Sequence, residues 1–215
     1  SKGDSATVIV KALSLSLSPI SLSLPVSQTK QFGSSFTGPT NAVLDWTATG
    51  GTVTSNGFYS APTVPGVYTV TVACSALSLS ASATVSVVPI SLSISPTQAR
   101  LVPGQPQQFG WTVNGGGVTF SILEAGGGNI TQAGLYTPPT APGTYTVQVA
   151  SQVDPTITVQ AKVIVNPITI TIDPGVITLE VNQSIRFGSS INNGGCTWSA
   201  TGGVVDDQGY YRAPM

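Results

Sequence analysis

The sequence predicts an all-β protein made of tandem β-sandwich domains of about 78 residues, arranged as an elongated array. Two sets of landmark residues recur at intervals of 77 and 78: Pro19, Pro96 and Pro174, and Phe32, Phe109 and Phe187. Apolar and polar residues alternate within the repeats, and no segment shows helical periodicity. A repeat of this length exceeds a solenoid unit and suits a small sandwich with its own core.

The repeat also predicts the domain boundaries. Residues 12–89 and 90–167 each contain a full repeat, whereas residues 168–215 correspond to a domain that lacks its last two strands. Residues 1–11 are predicted to be the final strand of a preceding or partner domain. Because strand-type residues run straight through the proline at both joints, almost no linker separates the domains and the array should be stiff.

The first three strands of the repeat follow from its apolar pattern and its proline. Leu13–Ser18 alternates leucine with serine, and Pro19 should mark an edge or the point where the strand changes sheets. A second strand is predicted around Lys30–Phe36. The third contains Asp45 and Trp46, with the tryptophan directed inward.

Short strands follow on either side of a glycine turn, and two long strands close the repeat. The inward side chains of the long strands are Tyr68, Val70, Val72, Ala83, Val85 and Val87. Five large apolar side chains of this kind contribute roughly 8–15 kcal/mol, which is as much as the whole stability of a domain. A domain without the two long strands should therefore not fold alone.

Residues 168–215 are accordingly expected to be completed from outside this segment. One source is continuation into further repeats of a longer fibre-forming chain. The other is a neighbouring subunit that donates a strand. Ala6, Val8 and Val10 are the candidate self-assembly strand, since they match Ala83, Val85 and Val87. Continuation is favoured, because a single donated strand would leave an inner strand absent.

The composition argues against several functional classes. Seven basic and eight acidic residues give a net charge of −1, so no basic surface is predicted for nucleic acid. The apolar runs are too short for a membrane span. The chain has no histidine, and Cys74 and Cys196 have no second cysteine at metal-ligand spacing. The pair Asp206-Asp207 suits a solvated turn better than a calcium site. No catalytic, cofactor-binding or metal-binding residue is predicted, and the protein is not expected to be an enzyme.

Several motifs resemble bacterial immunoglobulin-like domains of the Big type, which occur in tandem in secreted and surface proteins. The resemblance lies in Asp45–Gly51, Gly57–Pro62 and Gly66–Val72, and Thr197–Gly203 repeats the first of these closely. It extends over the whole chain. It implies immunoglobulin-like sandwiches, an extracellular or cell-surface location in a bacterium, and a role as stalk, spacer or adhesive module. The resemblance brings no catalytic residues with it.

The second repeat departs from this pattern at two aromatic positions. Phe120 replaces the core tryptophan, and Trp111 stands where the neighbouring repeats have Ser34 and Ser189. We interpret this exchange as volume compensation within one core, which would leave Trp111 partly buried. The alternative is that Trp111 is exposed as a platform for stacking sugars. Tyr210 is a second candidate ligand aromatic.

Three functions remain open from the sequence. The leading one is a structural, non-catalytic part of a bacterial surface stalk or fibre that associates with itself or continues into further immunoglobulin-like repeats. The second is an adhesin module that binds glycans or a cell surface. The third is a set of accessory domains of a secreted enzyme.

Overall fold

The computed structural model of the protein describes residues 12–215. The strand predicted from Ala6, Val8 and Val10 therefore lies outside the described residues. The described part of the chain is built from short strands, with one 3-10 helix at Ser75–Leu77. This content confirms the predicted all-β class.

The first repeat folds into three small sheets. Its strands are β1 (Ser14–Ser18), β2 (Ser21–Pro25), β3 (Thr29–Gln31), β4 (Gly33–Thr37), β5 (Asp45–Ala48), β6 (Thr52–Val53), β7 (Phe58–Ser60), β8 (Gly66–Cys74) and β9 (Leu79–Val88). The sheets have the orders β1-β4, β2-β9-β8-β5 and β3-β7-β6. Strands β8 and β9 form a long antiparallel hairpin, and β9 runs parallel to β2 with Leu22 opposite Val85.

The second repeat has the same plan, strand for strand. Its strands are β10 (Leu92–Ser95), β11 (Gln98–Leu101), β12 (Gln107–Gln108), β13 (Gly110–Val113), β14 (Val118–Ile122), β15 (Asn129–Ile130), β16 (Leu135–Thr137), β17 (Gly143–Ser151) and β18 (Thr158–Val165). The sheet orders are β10-β13, β11-β18-β17-β14 and β12-β16-β15. Strand β18 runs parallel to β11 with Ala99 opposite Val163. The two repeats confirm tandem immunoglobulin-like sandwiches.

The core of each complete repeat lies between these sheets. Alternation along the long hairpin places Val70, Val72 and Val85 in the first core, where all three are fully buried. Phe32 packs edge to face on Tyr59 with ring centroids 6.1 Å apart. The corresponding pair of the second repeat, Phe109 and Tyr136, has the same geometry at 6.3 Å. The recurring phenylalanine and tyrosine are thus the aromatic centre of each core.

Pro19 and Pro96 mark the points where a strand changes sheets, which is one of the two positions predicted for these prolines. Pro19 separates β1, which pairs with β4, from β2, which pairs with β9. Pro96 and Pro174 occupy the corresponding positions, and all three follow a cis peptide bond.

The prediction of one strand around Lys30–Phe36 is wrong. The chain there forms two strands, β3 and β4, which belong to different sheets. Between them, the amide of Phe32 donates a hydrogen bond of 2.9 Å to the carbonyl of Gly57. A Cβ at Gly57, where φ is +82°, would come within 2.7 Å of the Phe32 carbonyl oxygen, so this close approach requires glycine.

Contacts divide the chain into two compact units. Of the described residues, the first unit contains 12–93 together with Thr112–Val118 and Ser151–Ile157. Within it, Val113, Val153, Ile157 and the half-buried Trp46 pack against the first core. The second unit contains the rest of the chain, including residues 168–215. The domain boundaries inferred from the repeat stay predictions.

Candidate functional site

The candidate site is the uncovered core face of the third repeat. Its strands are β19 (Ile170–Asp173), β20 (Ser184–Arg186), β21 (Gly188–Ile191), β22 (Val204–Val205) and β23 (Tyr210–Arg212). They form a β19-β21 sheet and a β20-β23-β22 sheet, which correspond to two of the three sheets of a complete repeat. Within residues 168–215 there is no counterpart of the four-stranded sheet. One side of the apolar core is therefore open.

Exposure of the inward side chains shows how much of this core is open. Ile172 is 51% exposed, whereas its counterparts Leu17 and Ile94 are 4% and 6% exposed. Phe187 and Tyr211 are half-buried, although the same phenylalanine and tyrosine are fully buried in both complete repeats. The third repeat thus has core-type residues without a complete core.

The open face forms two adjoining grooves. The larger has a volume of about 750 Å³ and is lined mainly by apolar side chains, among them Ile172, Ile177, Leu179, Phe187, Trp198 and Tyr211. The smaller has a volume of about 280 Å³ and lies between Ile170, Ile172, Cys196 and Trp198. None of these eight residues carries a formal charge at neutral pH. The apolar lining of the grooves suits contact with another apolar protein surface better than binding of a polar small molecule.

A glycine beside the larger groove indicates what covers this face in the complete repeats. An ideal Cβ at Gly50 would lie 2.2 Å from the ring of Tyr68, and one at Gly127 would lie 3.0 Å from the ring of Tyr145. The tyrosine of the penultimate long strand therefore sits directly on this glycine. At the corresponding Gly202, no atom of the described residues beyond the glycine and its two chain neighbours lies within 4 Å of the ideal Cβ.

Polar groups near the grooves are engaged in local structure. The Sγ of Cys196 lies 3.2 Å from Oγ of Ser189. The carboxylate of Asp206 accepts hydrogen bonds from the amides of Gln208 at 2.9 Å and Tyr210 at 2.8 Å, which holds the turn before β23. Among residues 12–215, no group of three or more His, Cys, Asp or Glu side chains is placed to hold a metal ion.

The two candidate ligand aromatics lie on different sheets. Trp111, on β13, is 38% exposed and packs edge to face on Phe120 with ring centroids 5.1 Å apart. Tyr210, on β23, is 53% exposed, and the guanidinium carbon of Arg186 lies 5.3 Å from its ring centroid. The structure does not bring these two rings into one binding surface.

The residues that line the grooves were not predicted from the sequence to form a site. The repeat pattern predicts ordinary inward strand residues at four of these positions, because their counterparts are core residues in the complete repeats. The four are Ile170, Ile172, Ile177 and Leu179. The repeat period could have identified this surface. It shows that residues 168–215 do not include the two long strands, and inward residues without those strands must expose their side chains.

No protein-family model matches the chain, and no curated protein matches it. Among solved structures, the chain is similar to domains 4 and 5 of the S-layer protein SbsC, at 15% identity and a TM-score of 0.39, covering 74% of this chain and 99% of that one. It is also similar to a C-terminal fragment of intimin solved in complex with the intimin-binding domain of the translocated intimin receptor, at 15% identity and a TM-score of 0.33, covering 77% of this chain and 68% of that one.

A third similar structure is Drosophila N-cadherin EC1-4, at 11% identity and a TM-score of 0.31, with 72% of this chain covered. The chain spans about half of that cadherin fragment, 49% of its length. These similarities are weak, and the fold assignment rests on the sheets of the chain itself. None of the helical segments in residues 12–215 has both the length and the apolar character needed to span a bilayer.

Proposed function

We propose that this protein is a structural, non-catalytic part of a bacterial surface stalk or fibre, built from Big-type immunoglobulin-like repeats outside the cell. The observation that carries the proposal is the repetition of one strand plan, whose third copy leaves an apolar groove open. Repeats that share one strand plan suit a spacer or fibre more than a catalytic domain.

The exposed apolar side chains of the third repeat provide the driving force for the proposed assembly. Exposed side chains such as Ile172 and Val176 make a large apolar surface that is costly in water. Strands from outside residues 168–215 would cover it, either from further repeats or from a neighbouring subunit. The segment with Ala6, Val8 and Val10 is the candidate for donation between subunits, because it has the pattern of a repeat-closing strand.

Sedimentation velocity of the chain over a wide range of concentration tests donation between subunits. We expect self-association that is lost in the Val8→Asp variant, since a charge on the inward face of a docked strand would be buried without a partner. The Thr7→Asp variant is the matched control, because Thr7 has outward parity and its charge would stay in water. Association that is equally strong in both variants would contradict donation by this segment.

A glycan-binding or surface-binding adhesin is the second candidate function, and the exposed ring surfaces of Trp111 and Tyr210 favour it. Aromatic rings of this kind stack on sugars. A glycan array probed with the chain and with its Trp111→Ala and Tyr210→Ala variants tests it. Binding that disappears in either variant would support the adhesin function, and an array without signal would oppose it.

A further inference from the structure

We propose that the tip of the β17-β18 hairpin, residues 152–157, caps the core of the first repeat and couples the folding of the two complete repeats. The hairpin tip belongs to the second repeat by sequence, but its contacts place it in the first compact unit. The first repeat then reaches its full stability only while the second repeat is folded. Coupling of this kind is independent of the proposed function, since it needs no partner outside the chain.

Apolar side chains of the hairpin tip reach the first core. Val153 and Ile157 pack against the buried cluster of the first repeat, and Val113 at the end of β13 does the same. All three side chains are half-buried. The second repeat thus adds apolar contacts to a core that is not its own.

A comparison of the two linkers indicates what the hairpin tip covers. Ile90, in the linker before β10, is 7% exposed. Its counterpart Ile168, in the linker before β19, is 48% exposed. Within residues 168–215 there is no long hairpin, so no tip of this kind is present beside Ile168. The isoleucine of the linker is therefore buried where a hairpin tip is present and exposed where none is.

The loop after β13 fits closely between the hairpin tip and the first repeat. An ideal Cβ at Gly115 would lie 2.9 Å from Cβ of Pro25 and 3.2 Å from Cγ of Gln28, in the turn after β2. An ideal Cβ at the next residue, Gly116, would collide with the side chain of Val153. The two glycines allow the backbone of this loop to approach both surfaces.

Hydrogen bonds within the second repeat hold the hairpin tip in its conformation. Oγ of the buried Ser151 accepts hydrogen bonds from the amides of Val153 at 3.2 Å and Asp154 at 3.3 Å. The amide of Gln152 donates at 2.9 Å to the carbonyl of Gly117. A tip that is already ordered loses little conformational entropy when it packs on the first repeat. Because this order depends on β17 and its neighbours, the cap forms only when the second repeat is folded.

The coupling must be reciprocal. Opening either repeat breaks the same contacts between the hairpin tip and the first core, so each repeat is stabilised by the same free energy while the other stays folded. A substitution that removes these contacts should therefore weaken the first repeat, although it lies in the second.

Hydrogen exchange of the full chain tests this coupling through the amides of β9. Their protection, measured relative to the intrinsic exchange rates, reports opening of the first repeat. In the Val153→Ser variant we expect this protection to fall roughly three- to tenfold, because the apolar contacts of a half-buried valine with the first core are lost.

The Val159→Ser variant is the matched control. Val159 is a half-buried valine of the same hairpin, but it is not among the side chains that pack against the first core. Its replacement should lower the protection of β17 and β18 and leave that of β9 unchanged. Unchanged protection of β9 in Val153→Ser, or an equal loss of β9 protection in both variants, would overturn the proposed cap.

A second pair of variants tests the close fit of the loop. Gly115→Ala should lower the protection of β9, because the new Cβ would push the loop away from Pro25. Gly110→Ala is the control, since the nearest atom to its ideal Cβ is the Ser95 carbonyl oxygen at 3.8 Å. Neither glycine has a positive φ, so alanine is compatible with the backbone at both positions. Protection of β9 that is the same in both alanine variants would contradict the close fit.

Discussion

Asn114 accepts a hydrogen bond of 2.9 Å at its side-chain Oδ1 from the backbone N–H of Ser91. Its Nδ2 donates at 2.9 Å to the carbonyl of Pro89, so one side chain holds both sides of the linker before β10. Asn192 repeats this arrangement one period later, with Thr169 at 2.9 Å and Pro167 at 3.0 Å. In both repeats, the asparagine that follows the second strand of the two-stranded sheet, β13 or β21, thus hydrogen-bonds to the linker before the repeat.

Replacing this asparagine should loosen the linker. We expect Asn114→Ala to remove about 1 kcal/mol of local stability, as for an ordinary hydrogen bond. Hydrogen exchange at the Ser91 amide should become faster. Thr37→Ala is the control, because Thr37 occupies the same position of the first repeat. Unchanged exchange at Ser91 would show that the side chain does not hold the linker.

Tyr136 should make the stability of the second repeat sensitive to alkali. Its hydroxyl donates a hydrogen bond of 2.6 Å to the carbonyl of Gly127, and burial, with smaller contributions from Tyr145 and Glu124, raises the pKa of Tyr136 to about 12. Since the folded pKa lies above the unfolded value near 10, this stability is fully present below pH 10 and is lost as the pH rises toward 12.

Thermal melting between pH 9 and about 12 tests this linkage. The melting temperature should fall more steeply with pH for the native chain than for Tyr136→Phe, which has no phenol to ionise at this position. Parallel curves for the two proteins would contradict the linkage.

The stability that Glu124 contributes should depend on pH in the opposite sense, so that it is lost in acid. Its carboxylate accepts hydrogen bonds from the amide of Thr146 at 2.6 Å and from the hydroxyl of Thr146 at 2.8 Å, and these bonds lower the pKa of Glu124 from the usual 4.5. A lowered folded pKa gives stability that is present above the unfolded pKa and is lost as the pH falls through the folded one. The protection of the Thr146 amide, measured relative to its intrinsic exchange rate at each pH, should therefore fall in acid. In Glu124→Gln this protection should already be lower at neutral pH and should depend little on acid, and an acid response that survives this substitution would exclude Glu124 as its cause.

Equivalent core residues should contribute different amounts to the free energy of unfolding in different repeats. Phe109 is fully buried, so Phe109→Ala should destabilise its repeat by about 3–5 kcal/mol in denaturant unfolding. Phe187 occupies the same position but is half-buried beside the open groove, and Phe187→Ala should cost much less. Similar losses for both substitutions would indicate that the third core is already closed.

Much of this fold could be predicted from the sequence, because a period of 77 to 78 residues shows each strand two or three times. The missing amide of proline predicted either an edge or a sheet change at Pro19, and the structure has the sheet change. The split of the second strand at Phe32 could not be predicted, since it depends on a close approach to Gly57, 25 residues away. Nothing in the sequence indicated that Glu124 would bind Thr146 either. The open groove followed from counting strands, whereas its lining required the structure.

Hydrogen–deuterium exchange of the isolated chain at low concentration measures whether the core of the third repeat is open. We expect strong protection of the long hairpins β8-β9 and β17-β18, and rapid exchange throughout residues 168–215, because these residues form no counterpart of the four-stranded sheet that covers the other cores. Addition of strands that complete this repeat should then protect residues 168–215. Slow, cooperative exchange of residues 168–215 in a chain that sediments as a monomer would contradict an open third core.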